Sequence, residues 1–276
     1  MLRELKEMVV IITGASAGIG YELARQLSDA GARLVLSARR EDRLIELNTS
    51  LGGNHLVVRS DVSRPEDCQM LIAHTVEHFG RIDTLVCNAG YGLTRPVAKT
   101  SSDEMLSIFK TNVFGTTDCI RAAVPVMEKQ ERRDGVRGQI MIVTSAAARR
   151  GLPFFGAYSA TKFAQLGISE ALRVELKPSR IAVTSVHPVG TETEFFKVAE
   201  REGGLKMPPQ GKGEVRQSAA VVAKKMIKAI RRPRPEVWPL APARFMLSFA
   251  TLFPGLVDRI MAKYRGELDR QNESIK

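Results

Sequence analysis

The stretch MVVIITGASAGIGYELARQL, residues 8–27, changes character halfway along. Val9, Val10, Ile11 and Ile12 form an apolar, β-branched run that stops at Thr13-Gly14, and helical spacing resumes at Ile19, Leu23 and Leu27. That order is a strand, a tight turn and a helix. Gly14, Gly18 and Gly20 sit where strand becomes helix, although each glycine costs backbone entropy on folding. Bare N–H groups at the positive end of a helix dipole receive an anion such as a diphosphate, which points to a ligand lying against the backbone. Glycine-rich turns also form for packing alone, so the units around the turn must decide.

Those units alternate. Strand patterns fall near 8–13, 33–37, 55–59, 83–88, 139–144 and 181–187, with a short seventh at 236–238, and helical patterns near 18–30, 41–51, 65–79, 103–130, 157–177 and 216–231. Parallel neighbours need crossover connections, so the expected fold is α/β, a doubly wound Rossmann-type parallel sheet of six to seven strands with helices on both faces. Ligands of such sheets bind beyond the carboxyl ends of the strands, here 13–20, 37–40, 60–62, 88–92, 144–158 and 187–196. Residues 1–232 read as one catalytic domain. Four prolines in PRPEVWPLAP, 233–242, then open an extension, 233–276, expected to pack on or near the substrate site.

Hydrophobic residues make up 44% and charged residues 26%, an ordinary globular balance that needs no covalent staples. Cys68, Cys87 and Cys119 have no metal-ligand spacing and read as buried thiols of a reducing compartment. MLRELKEM carries Glu4 and Glu7 and no apolar export core, so a cytoplasmic location is expected. The net charge of +11 raises nucleic acid as a partner, but no recognition motif or basic–aromatic interleaving accompanies it, and none is expected. Lys224, Lys225, Lys228, Arg231, Arg232 and Arg234 form a basic run without an acid. The uncharged run Phe245–Val257 is too short for the ~20 residues of a bilayer span and is broken by Pro254. Together the two suggest peripheral contact with an anionic membrane, against the alternatives of a lid or a subunit contact.

The end of the second strand, LVLSARRED (34–42), tests the cofactor. NAD-binding sheets usually place Asp or Glu about 20 residues past the glycines, whereas a 2′-phosphate calls for arginine. Arg39 and Arg40, after Ser37, therefore favour NADP(H), because a guanidinium grips a phosphate with two hydrogen bonds. Tyr158 and Lys162 are four apart in a helical pattern and share a face. A free tyrosine, with a pKa of about 10, is a weak general acid–base at neutrality, and a nearby ammonium would lower that value. Ser145, just past the fifth strand, would stand on the same sheet edge and hold a carbonyl or alcohol oxygen.

These residues bring the sequence close to a known family. TGASAGIG (13–20), NAG (88–90), Ser145, the YxxxK pair Tyr158/Lys162 and Asn112 in KTNVFG resemble, in order and spacing, the motifs of the short-chain dehydrogenases/reductases over residues 8 to about 196. The resemblance implies that Tyr158 is the general acid–base, Ser145 orients the carbonyl, Lys162 binds the nicotinamide ribose and tunes Tyr158, and Asn112 anchors a relay water. It also implies cofactor contacts from Gly14, Ser16, Gly18, Ile19, Gly20, Ser37, Arg39, Arg40, Asp61, Val62, Asn88, Ala89, Gly90, Tyr158, Lys162, Pro188 and Thr193, with Asp61-Val62 at the adenine. Hydride would pass between the nicotinamide and the substrate carbon without a metal. The family's Pro-Gly after the sixth strand is here Pro188-Val189, with Gly190 one place late, so the carboxamide contacts are open; His187 reads as a core or turn residue.

Substrate contacts are expected from loops 91–98, 146–155 and 189–215, where Leu152–Phe155 and Phe195-Phe196 suggest an apolar pocket and a lipophilic small-molecule carbonyl compound. The resemblance further implies a homodimer or homotetramer through the 157–177 helix. An NADP(H)-binding regulator without turnover is the alternative reading.

Overall fold

In the computed structural model, which describes residues 2–205 and 217–273, the alternation becomes one sheet wrapped by helices. Its strands are β1 (Val9–Thr13), β2 (Arg33–Ala38), β3 (Leu56–Arg59), β4 (Thr84–Cys87), β5 (Gly138–Val143) and β6 (Ile181–Val186). A small ladder of β7 (Thr191–Glu192) with β8 (Gln217–Ser218) precedes the edge strand β9 (Glu236–Val237). The sheet order is β3-β2-β1-β4-β5-β6-β9, all neighbours parallel. The order reverses between β1 and β4, so the glycine turn after β1 lies against the chain leaving β4.

Both faces of the sheet are covered, which is why its strands read as continuous apolar runs. On one face α1 (Gly18–Asp29), α2 (Glu41–Ser50) and α8 (Ala219–Arg231) bury Leu23, Leu44 and Val222 against Val10 and Ile12. On the other, α3 (Pro65–Phe79) and α5 (Gly115–Lys129) bury Leu71 and Ile120 against Ile11 and Ile140, with α6 (Gly156–Glu175) alongside. Alternate strand residues supply the two cores, as the period of two requires.

The long helix expected over 103–130 is interrupted. It forms α4 (Ser102–Phe109), a π turn over Lys110–Phe114 that contains Asn112, and then α5. A π turn inserts one residue into the helical ladder and leaves no mark in apolar spacing. The segment expected as loop after β6 contains α7 (Phe195–Gly203), while residues 206–215 of the expected substrate loop lie outside the described residues.

The extension does not begin a separate unit at 233, because β9 completes the sheet. It continues as α9 (Ala241–Leu252) and α10 (Pro254–Glu273), bent by 110° at the break between them. Among the described residues no single helix is long and apolar enough to cross a membrane. Phe245, Met246, Phe249, Leu252, Phe253, Leu256 and Ile260 are exposed on this pair. The Arg231 carbonyl accepts from the Arg3 backbone N–H, and Arg3 in turn bonds the Asp83 carbonyl, so the basic run reaches the amino edge of the sheet while α9 follows from the carboxyl edge. The Arg231 end of the basic run and the start of α9 thus lie at opposite edges of the sheet.

Arg3 is 1% exposed and donates to Gln139 Oε1 at 2.8 Å and the Asp83 carbonyl at 2.9 Å, joining the N-terminus to β4 and β5. Burial lowers its pKa to about 10, yet it stays charged at neutrality. Replacement Arg3→Met keeps the length and strands those acceptors, so urea unfolding should show a loss of about 1–3 kcal/mol.

Candidate active site

The glycine turn explains itself residue by residue. Gly14 and Gly18 have φ of +67° and +58°, a region glycine enters without strain. A Cβ on Gly14 would lie 2.9 Å from the Ala89 Cα, and one on Gly20 would lie 2.5 Å from the Gly14 carbonyl oxygen and 2.7 Å from the Asn88 amide. Packing against the β4 exit therefore accounts for Gly14 and Gly20, in addition to any ligand. Asn88 donates its side-chain amide to the carbonyls of Thr13 at 2.9 Å and Gly14 at 3.2 Å, while Thr13 Oγ1 accepts from the backbone of Asn88 and Ala89. The result is a rigid turn presenting the start of α1, which carries no side-chain cap and no acid in its first turn. An anion suits that end.

Beyond β2 the expected phosphate residues separate. Arg39 is exposed and makes no ion pair with any described residue. Arg40 bonds Ser16 Oγ through two of its nitrogens, at 3.1 and 3.3 Å, and pairs with Glu194 at 2.9 Å; Arg43 reaches the same carboxylate at 2.7 Å. Those two arginines hold the Glu194 carboxyl below its usual range. Ser37 departs from expectation. It is fully buried, its hydroxyl 2.5 Å from Ser60 Oγ and its carbonyl accepting from Ala15, so it supports the turn from behind. Val62 is likewise only 7% exposed and packs on Gly115, and Asp61 spends its carboxylate on Ser63. Val62 serves the core with its side chain, because α5 passes directly over it.

Ser145, Tyr158 and Lys162 do converge. Tyr158 sits beside Phe155 and Phe195, their ring centroids 6.2 and 5.0 Å away, in an apolar cluster with Leu93 and Ile108. Burial pushes its pKa up to about 12, and the hydrogen bond with the Ser145 hydroxyl works in the other direction. The expected depression by Lys162 is not seen: Lys162 Nζ lies 5.5 Å from the centre of the tyrosine ring and gives its hydrogen bonds elsewhere. It donates to the Val143 carbonyl at the end of β5, 2.9 Å, and to Gln165 Oε1, 2.8 Å. Burial lowers the Lys162 pKa to about 7.

Asn112 enters this network differently from expectation. Its side chain clamps the β4 exit loop, accepting from Tyr91 N and donating to the Tyr91 carbonyl and to Thr161 Oγ1, each at 3.0 Å. Its own carbonyl accepts from Gln165 Nε2 at 2.6 Å. Gln165 is thus the link between Asn112 and Lys162, a residue our reading of the sequence passed over. The signal was present, since Gln165 is three places after Lys162 and seven after Tyr158 on one helical face.

The chain after β6 closes the arrangement. The Pro188 carbonyl accepts from Ala146 N at 2.9 Å, Gly190 has φ of +36°, and Thr193 stands on the glycine turn, its methyl 2.9 Å from where a Gly18 Cβ would lie. His187 is fully buried and stacked on Trp238 at 4.3 Å; burial lowers its pKa to about 4, keeping it neutral. The junction of α9 with α10 meets the segment after Ser145: Arg149, Arg150, Gly151, Phe163, Ala250, Thr251 and Pro254 line a cavity of about 420 Å³ that does not include Tyr158.

Residues 8–203 match the sequence model of the short chain dehydrogenases. The chain belongs to the short-chain dehydrogenase family. An uncharacterised oxidoreductase of Bacillus subtilis, YxnA, is 32% identical over 95% of this chain and 73% of its own. An 11-beta-hydroxysteroid dehydrogenase-like protein of Arabidopsis thaliana is 39% identical over 68% of this chain, a match spanning 60% of the plant protein. Among solved structures, a family member from Burkholderia phymatum in complex with NAD superposes with a TM-score of 0.81 at 23% identity, covering 92% of this chain and 96% of that one. The alcohol dehydrogenase of Thermococcus sibiricus, complexed with 5-hydroxy-NADP, gives 0.71 at 27% identity over 84% and 95%. The protein is thus an oxidoreductase of the short-chain type on a Rossmann-like sheet, and its relatives bind either form of the nicotinamide dinucleotide.

Gly20 offers a direct check on the turn. Gly20→Ala forces a methyl into the Gly14 carbonyl and the Asn88 amide, and chemical unfolding should show about 1–3 kcal/mol of destabilisation.

Proposed function

We propose that the protein is an NADP(H)-dependent oxidoreductase that interconverts a ketone or aldehyde with an alcohol, Tyr158 acting as general acid–base. The convergence of Ser145, Tyr158 and Lys162 on one sheet edge beside the glycine turn carries this reading. The residues fit a dinucleotide: the uncapped start of α1 suits its diphosphate, and Arg39, Arg40 and Ser16 suit a 2′-phosphate. When bound, the cofactor supplies or accepts the hydride.

The chain's own residues handle the proton. With its pKa near 12, Tyr158 is protonated at neutral pH and stands ready to donate to a carbonyl oxygen that Ser145 also holds. The phenolate then developing lies beside Lys162, whose ammonium form stabilises it in a site with little water. Lys162 loses that charge near pH 7, so reduction should slow as pH rises through this value. The aromatic wall of Phe155 and Phe195 on Tyr158 favours a lipophilic substrate, and the steroid-dehydrogenase-like relative supports the same class. We assign the outward Phe163 and Val174 of α6 to a homodimer or homotetramer contact.

NADPH oxidation should be followed with steroid ketones, aromatic diketones, medium-chain aldehydes and 3-oxoacyl thioesters. Tyr158→Phe should lower kcat by about 10²–10⁴-fold while NADPH binding, read from its fluorescence, stays within about threefold. Turnover unaffected by Tyr158→Phe would refute the assignment, and NADPH binding with no turnover on any substrate would return the regulator reading.

The cofactor choice has a separate check. Arg39→Ala should weaken NADPH binding by about tenfold and leave NADH unchanged, consistent with loss of one charge-assisted phosphate contact. Equal losses for both dinucleotides would remove the 2′-phosphate assignment.

A further inference from the structure

Gln165 is fully buried at the centre of the site, on the face of α6 that also buries Thr161, Lys162 and Ser169. A buried primary amide is expensive unless each of its groups is paired. All are paired here. Oε1 accepts from Lys162 Nζ at 2.8 Å, and Nε2 donates to the Asn112 carbonyl at 2.6 Å and to Thr116 Oγ1 at 2.9 Å. Thr116 Oγ1 gives its own hydrogen to the same Asn112 carbonyl at 2.8 Å, so it can only accept from Gln165. An ammonium has donors alone, and together these partners fix the amide in one orientation.

The Asn112 carbonyl is available because the π turn shifts the hydrogen-bond ladder at that residue. We infer that Gln165 is a positioning residue of the catalytic set: it holds the Lys162 ammonium between the end of β5 and the π turn and sets the pH range over which Tyr158 delivers its proton. This rests on the reading of Tyr158 and Lys162 given above. The amide also fixes what the link does. Its oxygen faces Lys162 and its nitrogen faces Asn112, so moving a proton across would require the imidic acid form. The Lys162–Gln165–Asn112 chain therefore orients the lysine and does not conduct protons to the π turn.

The electrostatic surroundings make Gln165 a sensitive control. The Val143 carbonyl from β5 and Gly90 from the β4 exit stand beside Lys162 Nζ, while Asn112 of the π turn and Thr116 of α5 hold Gln165, and none of these groups is charged. The titratable neighbours are Tyr158 on α6 and Tyr91 on the exit loop, and the Tyr91 hydroxyl is bonded to Ser107 away from the lysine. No acid among the described residues acts on Lys162, and burial alone lowers its pKa. A change at Gln165 then acts on the charged lysine directly.

Two near-isosteric variants give opposite signs. Gln165→Met removes the acceptor for the ammonium, and Gln165→Glu replaces it with a carboxylate, which favours the charged form. In the reduction direction, the alkaline limb of kcat/KM should move down by about half a pH unit in the first and up by about one unit or more in the second. The Lys162 Nζ signal, followed by nitrogen NMR in lysine-labelled full-length protein and assigned with Lys162→Met, should titrate in the same two directions. A purely structural role would lower activity in both variants and leave the limb and the signal in place. Unmoved titrations in folded variants of a Tyr158-dependent reductase would overturn the inference. Opposed shifts of the signal in a protein without turnover would leave Gln165 in its positioning role and overturn the proposed reaction.

Discussion

An ammonium group buried at the end of a parallel sheet dictates most of what surrounds it. Lys162 is 5% exposed, and its charge must be met by oxygen atoms that have no better partner. Two are supplied: the Val143 carbonyl, left free where β5 ends, and Gln165 Oε1. The first fixes α6 against the sheet edge, and Gln165, through its Nε2 on the Asn112 carbonyl, fixes the helix against the π turn. That double attachment brings Tyr158 to the edge where Ser145 and the glycine turn already lie. Burial of Tyr158 raises its pKa and burial of Lys162 lowers its own, so the two are set apart in proton affinity by one apolar environment.

The same edge uses backbone groups where side chains would be too long. Thr13 and Asn88 join the ends of β1 and β4, and Gly14 and Gly20 permit their approach. Opposite them, the π turn exposes the Asn112 carbonyl while the Asn112 side chain holds Tyr91. The NAG segment is thereby fastened on both sides. Gly90 faces Asn112 Oδ1, 3.0 Å from its would-be Cβ, so a side chain there would press on the Asn112 amide.

Much of this was legible from residues alone. Period and glycine placement gave the strand order's raw material, because a parallel sheet with both faces covered writes continuous apolar runs. Tyr158, Lys162 and Ser145 could be paired because helical spacing and strand ends are local properties. What failed was nonlocal. Ser37 looks like a loop residue beside Arg39, yet Ser60 from the neighbouring strand pairs with it below the surface. Glu194 carries no signature in sequence, yet it meets Arg40 and Arg43 from more than a hundred residues away. Gln165 had the right spacing but looked like an ordinary polar position, since the partners of its amide nitrogen come from the π turn and α5, some fifty residues away.

The extension after α8 has a structural reason in the segment that follows β5. Ser145 leaves β5 into a short segment whose carbonyl lies 3.4 Å from His187 Nδ1, and His187 is held by Thr144 and Ser185 on either side. The imidazole alone would leave one face open. Trp238 covers it in parallel at 4.3 Å, and the indole N–H is anchored by Glu236 at 2.8 Å. Glu236 also takes Arg149, the residue that follows the short helical turn Ala146–Ala148, at 2.7 Å. Arg149 and Trp238 therefore meet on one carboxylate, and the loop carrying Ser145 is tied to β9 at both ends. A sheet ending at β6 would present His187 and the Ser145 loop to solvent. The seventh strand of the sheet thus braces the segment that carries Ser145, and a truncation ahead of Glu236 would remove that support.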